Sequence, residues 1–322
     1  GIEVDFLASM PSYPTGLVEP PYRGRLLVQE RIEDFPTIRT WTFSAGRSRP
    51  RNQRANEFSF ALSSLLSLGV LQRRYDWVLS LTPPLFLIPS SWLLSRLLGA
   101  RWALHVMDLD PECTIDNGAL EEGSATARLF HRLALFGYGR SDLVIASSRG
   151  IKSRVEDLGI PSRKVHFVPN GIDTDDFQPR DQGPGTGDGT LRAALVGSMS
   201  RRHDVESILR TAGILQDEGD TRWEFQLIGA GSKRAWAENE VAVRGLTNVR
   251  VTGPIPREQV PSVLGEADVV LVSLGDVRTN EEHIPTKLYD AMACGRPVLL
   301  SGRGEPRRIV EAAGAGIVVE PE

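Results

Sequence analysis

The densest chemical signal is Ile284-Pro-Thr-Lys-Leu-Tyr-Asp-Ala-Met-Ala-Cys-Gly-Arg-Pro-Val298. Pro285 and Thr286 suit the start of a helix, whose first amides have no partner within the helix and whose N-terminus attracts anions. Lys287 falls in that first turn, where the helix dipole alone favours an acid. A nucleotide phosphate brought in from outside would account for a cation placed there. Asp290, three residues on and on the same face, offers a carboxylate to ribose hydroxyls. The bland alternative is a solvated Lys–Asp helical pair. Gly295 closes the helix as a C-cap, with Pro297 beyond it.

A second candidate is Gly197-Ser-Met-Ser-Arg-Arg-His203, which follows a strand-like run and opens a helix. Either Arg201 or Arg202 can supply positive charge to a diphosphate, since guanidinium grips phosphate through two parallel donors, although loop arginines are commonly just solvated. Gly229-Ala-Gly231 is a strand–Gly-x-Gly–helix turn that can let a nucleotide approach the backbone, a weak signal alone. Met107-Asp108-Leu-Asp110 ends another strand; Asp108 is a candidate site carboxylate, with helix capping as the commoner use of such a residue. His105 reads as a core histidine. Five histidines without HxH or HxxxH spacing indicate no metal site, and no cofactor is expected. No Gly-x-Gly-x-x-Gly follows a strand, which disfavours a dinucleotide-dependent dehydrogenase.

The elements that must position these residues are legible as alternation. Apolar runs at Leu191–Gly197, Trp223–Gly229, Val249–Gly253, Asp268–Leu274, Pro297–Ser301 and Gly316–Val319 are spaced by helix-length segments near 203–217, 232–244, 256–266, 285–295 and 305–314. Strands buried on both faces and alternating with helices predict a parallel, doubly wound sheet. The first half repeats the pattern with strands at 2–9, 37–43, 76–81, 101–107, 142–147 and 165–168, and helices near 51–73, 84–98, 122–139 and 148–158. The segment 178–190, rich in Gly, Pro and Asp and free of apolar residues, reads as a linker. The expected fold class is therefore α/β, with two Rossmann-like domains (1–177 and 191–322) and a ligand cleft between them at the carboxyl ends of the strands. Leu79–Leu98 is strongly apolar, but Pro83, Pro84, Pro89 and Arg96 make it a buried strand–turn–helix rather than a membrane span.

Composition agrees with two domains. The 322 residues are 41% hydrophobic and 24% charged, which excludes a disordered, fibrous or membrane-spanning chain. Two cysteines 181 positions apart exclude a disulfide scaffold and a zinc finger. The net charge is −4, yet residues 20–107 carry 12 arginines against 5 acids. That excess suits an anionic membrane surface or a phosphorylated substrate, or reflects only codon bias, since Arg outnumbers Lys 33 to 4. Nothing points to nucleic acid.

The order of these landmarks resembles glycosyltransferase family 4. Carrying the resemblance are Val165-His-Phe-Val-Pro-Asn-Gly-Ile-Asp173 and, before it, Ser141-Asp-Leu-Val-Ile-Ala-Ser-Ser-Arg-Gly150. Pro11-Ser-Tyr-Pro-Thr-Gly16, Tyr22-Arg-Gly24, Thr40-Trp-Thr42, Thr82-Pro-Pro-Leu-Phe86 and Met107-Asp-Leu-Asp-Pro-Glu112 look like landmarks of a bacterial cell-surface polysaccharide branch described as fucosamine-type transferases, and Ile284–Val298 is the strongest match. The resemblance implies the GT-B fold and a pair of glutamates separated by seven residues, one near the donor sugar and one on the ribose. Here that motif reads Glu282-x7-Asp290, with Glu281 adjacent and the choice between Glu281 and Glu282 open. It also implies a loop Arg and Lys at the donor diphosphate, where this chain has Ser198 and His203, and a His or Arg where it has Met107.

The implied activity is retaining transfer of a sugar from a nucleotide diphosphate-sugar, with UDP the favoured carrier, to a saccharide or lipid-linked saccharide. Lys287, Glu282 and Asp108 are the catalytic candidates. Gly197, Arg201, Arg202, Gly229, Gly231, Glu281, Pro285, Thr286 and Asp290 would bind the donor. The setting expected is the cytoplasm, with peripheral contact at an anionic inner membrane face. The alternative is a sugar-nucleotide-binding protein or subunit without transferase activity, favoured by Ser198, His203, Asp290 and Met107 at positions where the family has other residues. By the same resemblance Gly1–Leu7 aligns with a second strand, so the first domain is expected to lack an upstream strand and the second domain its last helices.

Overall fold

The computed structural model describes residues 1–12, 15–46, 50–71, 73–179 and 189–321. Most of the expected linker, residues 180–188, and Tyr13 and Pro14 of the first landmark lie outside the described residues. The chain divides into two compact units. The first comprises Gly1–Pro111, Ala119–Ala146 and Arg154–His166; the second comprises Glu112–Gly118, Ser147–Ser153 and Phe167–Glu322.

In chain order the first half runs β1 (Phe6–Ser9), β2 (Leu27–Ile32), β3 (Phe35–Thr40), α1 (Pro50–Ser63), β4 (Trp77–Thr82), α2 (Leu87–Leu98), β5 (Arg101–Val106), α3 (Glu112–Asp116), α4 (Ala125–Arg140), β6 (Leu143–Ala146), α5 (Arg149–Asp157) and β7 (Val165–Phe167). Its strands form two sheets, not the single parallel sheet predicted. One has the order β1-β3-β2 and the other β4-β5-β6-β7. β1 and β3 are parallel, whereas β2 and β3 form an antiparallel hairpin in which Ile32 pairs with Phe35. The two-residue turn places Glu33 at φ 52°. The hairpin escaped the sequence reading because its turn lacks the Asn-Gly or Asp-Gly signature that marks such loops.

Leu79–Leu98 is strand, turn and helix as expected: β4 leads into α2, which stops at Gly99 in the left-handed region (φ 66°). Ile88 of α2 and Leu104 of β5 press on Gly137 of α4, where a Cβ would approach each to 2.9 Å. Trp102, fully buried, satisfies its indole N–H on the Ser80 hydroxyl at 2.8 Å. Among the described residues no helix is long and apolar enough to cross a membrane.

The second half runs β8 (Leu191–Val196), α6 (Val205–Asp217), β9 (Trp223–Ile228), α7 (Arg234–Arg244), β10 (Val249–Thr252), α8 (Val260–Glu266), β11 (Val269–Ser273), α9 (Arg278–Glu282), α10 (Thr286–Ala293), β12 (Val298–Ser301), α11 (Gly304–Ala313) and β13 (Gly316–Val319). The six strands lie in the order β10-β9-β8-β11-β12-β13, with every assigned pair parallel. This is the Rossmann arrangement, in which the strand order reverses between the first strand and the fourth. Each face is covered by its own core. α6 and α7 bury Leu209, Ala212 and Ala237 on one side, while α8, α10 and α11 bury Leu264, Leu288 and Val310 on the other. The reversal between β8 and β11 leaves a crevice at their carboxyl ends, where such sheets hold ligands. One helix there, α9, was not predicted: Arg-Thr-Asn-Glu-Glu offers no apolar periodicity to signal it.

Candidate functional site

Two loops form the floor of the second unit's crevice. After β8 the chain turns at Gly197, whose φ of 131° lies in glycine territory; after β9 it turns at Gly229 (154°) and Gly231 (148°). The loops lie backbone to backbone. Gly197 N–H donates to the Ile228 carbonyl at 2.8 Å, Met199 N–H to Ala230 at 2.8 Å, and Lys233 N–H to Met199 at 2.9 Å. A Cβ on Gly229 would stand 1.8 Å from the Gly197 oxygen, and one on Gly231 would stand 2.2 Å from the Met199 oxygen. The close approach of these two protein loops by itself demands glycine at 229 and 231.

Lys287 reaches this floor from the first turn of α10. Pro285, buried and extended at φ −68° and ψ 133°, is the N-cap and supplies no side-chain cap, while Thr286 is exposed. The Lys287 ammonium lies 3.5 Å from the Ser198 carbonyl, and its Cε lies 3.5 Å from where a Gly197 Cβ would be. The residue is only 9% exposed. Burial alone pulls its pKa from 10.5 down to about 8, and among the described residues no carboxylate pairs with it. A buried ammonium without an acid is costly unless a ligand supplies the anion. The bland alternative fails on both counts: Lys287 is not paired with Asp290, whose oxygens receive Arg257, and it is not solvated.

Around Lys287 the loop adds neutral and cationic groups. His203 Nδ1 accepts from the Ser200 N–H at 3.4 Å and faces the Ser200 hydroxyl at 2.9 Å, which places the imidazole proton on Nε2. Burial, followed by the charges of Lys287, Arg202, Lys233 and His283, drives the His203 pKa down to about 2, so the ring is neutral. Lys233 is occupied elsewhere, donating to the His203 carbonyl at 2.8 Å and to Glu206 at 2.6 Å. The two candidate arginines differ. Arg202 is half-buried and donates through Nε to Asn280 Oδ1 at 3.0 Å, and the Asn280 amide returns a bond to the Arg202 carbonyl at 2.8 Å. Arg201 is exposed, with its guanidinium laid against Gly118.

The acids separate as well. Glu281 is exposed, and its backbone packs on Gly304 (φ 68°), where a Cβ would lie 2.2 Å from the Glu281 oxygen. Glu282 is the more enclosed of the pair: its side chain is 18% exposed and lies 3.8 Å from Arg278. Its backbone is gripped by Ser148, whose hydroxyl donates to the Glu282 carbonyl, and by Gly150, where a Cβ would come within 2.7 Å of the Glu282 Cα. Asp290 is buried, and its two oxygens receive Arg257 Nη2 and Nη1 at 2.8 Å each. Its carboxylate is therefore paired with a guanidinium, a partner the sequence did not reveal. Asp108 belongs to the first unit, half-buried just past the carboxyl end of β5. The next helix, α3, begins at Glu112. His105 sits within β5 with its pKa lowered by burial, in keeping with a core position.

Three site features carried no signal in the sequence. Arg257 lies 33 residues from Asp290, Asn280 lies 78 from Arg202, and Glu305 lies more than 150 from the Arg149 and Gly150 amides that donate to its buried carboxylate at 3.0 and 2.7 Å. Each is a pairing of distant segments, which local periodicity does not encode.

Comparisons with known proteins bear on the family and the fold. Residues 191–322 match the family described as glycosyl transferases group 1, and residues 1–171 match the glycosyl transferase 4-like domain. The chain is 27% identical over 252 residues to WbjE of Pseudomonas aeruginosa, provisionally named a glycosyltransferase, covering 76% of this chain and 62% of that one. It is 26% identical over 282 residues to WcaI of Escherichia coli (strain K12), provisionally a colanic acid biosynthesis glycosyl transferase, covering 82% and 67%. The chain thus spans less than two thirds of the length of the first relative and about two thirds of the second. Among solved structures, HepE of Anabaena in complex with UDP aligns with a TM-score of 0.65 at 14% identity, covering 99% of this chain and 86% of that one. Sucrose-phosphate synthase of Thermosynechococcus elongatus aligns at 0.68 and 18% identity, covering 98% and 75%. At such identities these two likenesses bear on the fold, which is GT-B. With family models matching both parts of the chain, and the glycosyl transferase 4-like domain matching residues 1–171, more than half of its length, the chain belongs to the glycosyltransferase 4-like family of GT-B glycosyltransferases.

Proposed function

We propose that this chain is the catalytic body of a retaining glycosyltransferase of bacterial cell-surface polysaccharide synthesis. It would take a hexosyl or N-acetylaminosugar group from a nucleotide diphosphate-sugar to a saccharide or lipid-linked saccharide. The observation that carries the reading is Lys287: a buried ammonium, unpaired with any acid among the described residues, at an uncapped helix start in the crevice of a Rossmann sheet. A diphosphate supplies the missing anion and accepts from the free helix amides. In the proposed reaction the bond from the sugar C1 to the diphosphate oxygen breaks, and the acceptor oxygen bonds to C1 on the same face. The acceptor proton is released with the diphosphate. Lys287, the dipole of α10 and the guanidinium of Arg201 or Arg202 stabilise charge on the leaving group, a contribution worth about 3–4 kcal/mol for a single well-placed donor. Glu282, steadied through its backbone, is the sugar-facing acid, and Asp108 is the carboxylate on the acceptor side. UDP is the favoured carrier because HepE, a structural neighbour, was solved with it. A lipid-linked acceptor would place the reaction on the cytoplasmic face of a membrane, met through the arginine-rich residues 20–107.

Thermal unfolding in the presence of UDP, GDP and ADP, followed by transfer assays with the matching sugar nucleotides, tests the reading. It expects one diphosphate to raise the melting temperature and Lys287→Ala to abolish both that rise and transfer. Unaltered transfer in Lys287→Ala would sink it, while nucleotide binding without any transfer would leave a sugar-nucleotide-binding protein instead.

A further inference from the structure

α9 cannot place Glu282 by itself. It is five residues long, Arg-Thr-Asn-Glu-Glu, without an apolar stripe, and so short a helix has little stability of its own. Its last residue is held by the start of α5. The Ser148 hydroxyl accepts from the Ile151 N–H at 2.9 Å, which leaves its own proton for the Glu282 carbonyl, to which it donates. Gly150 lies against the Glu282 backbone, where a Cβ would come within 2.7 Å of the Glu282 Cα. The start of α5 is fixed in turn by a residue of α11. Glu305, 4% exposed, receives the Arg149 amide at 3.0 Å on one carboxylate oxygen and the Gly150 amide at 2.7 Å on the other. A carboxylate bridging two amides at a helix N-terminus is held by charge-assisted bonds and by the helix dipole together. Gly304, just before it, packs on Glu281, where a Cβ would lie 2.6 Å from the Glu281 Cα. The segments 304–305, 148–150 and 281–282 thus close a ring around the end of α9.

We propose that Glu305 is a positioning residue for the sugar-facing acid: by fixing Ser148 and Gly150 it sets the backbone of Glu282, and through it the recognition of the donor sugar. The proposal rests on the reading of Glu282 given above. A carboxylate that only capped α5 would affect stability and leave the sugar and nucleotide parts of the donor equally well bound.

Isothermal titration of the whole chain with UDP, UDP-glucose and UDP-N-acetylglucosamine tests it. The variants are Glu305→Gln, Glu305→Ala, Ser148→Ala and Glu282→Ala, with Glu305→Ala also made in the Glu282→Ala background. Unfolding curves establish that each is folded at the titration temperature, and Ser148→Ala reads the same route should a Glu305 variant not fold. The quantity compared is the affinity for the better-bound UDP-sugar divided by that for UDP. Glu282→Ala should lower this ratio about tenfold, and Glu305→Ala and Ser148→Ala should lower it about fivefold while UDP affinity stays within about twofold of the wild type. Glu305→Gln, which keeps one acceptor oxygen, should recover part of the loss, and Glu305→Ala should add nothing in the Glu282→Ala background. A wild-type ratio in Glu305→Ala and Ser148→Ala, an equal fall in UDP and UDP-sugar affinity, or a further fall in the Glu282→Ala background overturns the proposal and leaves the Glu282 reading standing. A wild-type ratio in Glu282→Ala is a different failure: it takes Glu282 away from the sugar, and the positioning role with it. Absence of uridine nucleotide binding by the wild-type chain removes the uridine donor reading and the positioning role together.

Discussion

Replacing Lys287 with Met should make the unliganded protein more stable while removing its response to nucleotide. A fall in pKa from 10.5 to about 8 means that the folded state destabilises the ammonium by ~3 kcal/mol relative to the unfolded chain. Methionine fills similar space without charge, so most of that penalty disappears. At about 2–4 °C per kcal/mol for a domain of this size, the melting temperature of Lys287→Met at pH 7 should exceed that of the wild type by at least ~4 °C. The pH dependence gives a sharper test. Between pH 8 and 10.5 the unfolded chain binds a proton at Lys287 that the folded chain has released, so wild-type stability rises with pH across that window. Below pH 8 both states are charged and the full penalty stands; above 10.5 both are neutral and it is gone. The gap between variant and wild type should therefore be largest at pH 7 and close as pH approaches 10. Differential scanning calorimetry at pH 7, 8.5 and 10, with and without saturating UDP, reads all of this. A variant less stable than wild type at pH 7, or a gap indifferent to pH, would refute the claim that Lys287 is a buried cation waiting for an anion.

Three further outcomes follow from the same geometry. Gly231→Ala sets a Cβ 2.2 Å from the Met199 oxygen at φ 148°, so it should cost more than about 2 kcal/mol in urea unfolding and disrupt nucleotide binding by moving the loop that carries His203. The His203 ring, neutral with its proton on Nε2, should show no titration between pH 5 and 9 by NMR in the free protein; a midpoint near 6.5 would disprove its burial among cations. Glu305→Ala leaves the Arg149 and Gly150 amides without their acceptor, and should destabilise the protein by about 2 kcal/mol and speed amide exchange at the start of α5.

The alternation of strands and helices in the second unit was legible almost to the residue, because strands buried on both faces are continuous apolar runs and their helices are bounded by glycine. Gly245 and Gly314 end α7 and α11 in the left-handed region, where the sequence alone suggests a stop. The first unit was less legible. There β2 carries Gln29, Glu30 and Arg31 in six residues, and α9, a helix missed in the second unit, is Arg-Thr-Asn-Glu-Glu. Both depend on partners elsewhere: β2 on pairing with β3, and α9 on the Ser148 hydroxyl and on the Arg202 and Gly275 carbonyls that accept from its Asn280 side chain.

The site divides along the same line, and Lys287 and Asp290 show why. Lys287 was recognisable because it breaks a local rule, placing a cation where the helix dipole asks for an acid, and the structure gives it no internal remedy. Asp290 was only half legible, because its counter-charge comes from a partner 33 residues away. A violated preference is written at one position and stays visible in sequence, whereas a satisfied one is shared between two positions and vanishes from either alone. Gly229 and Gly231 fall between these cases: their residue type announced a close approach, but only the opposing carbonyls of Gly197 and Met199 reveal what is approached. Lys287 depends on one helix and one loop, and it is where a ligand is most needed to complete the electrostatics. The proposed donor site therefore rests on Lys287, which has no internal counter-charge, rather than on Asp290, which has one in Arg257, although the two residues stand one turn apart on the same helix.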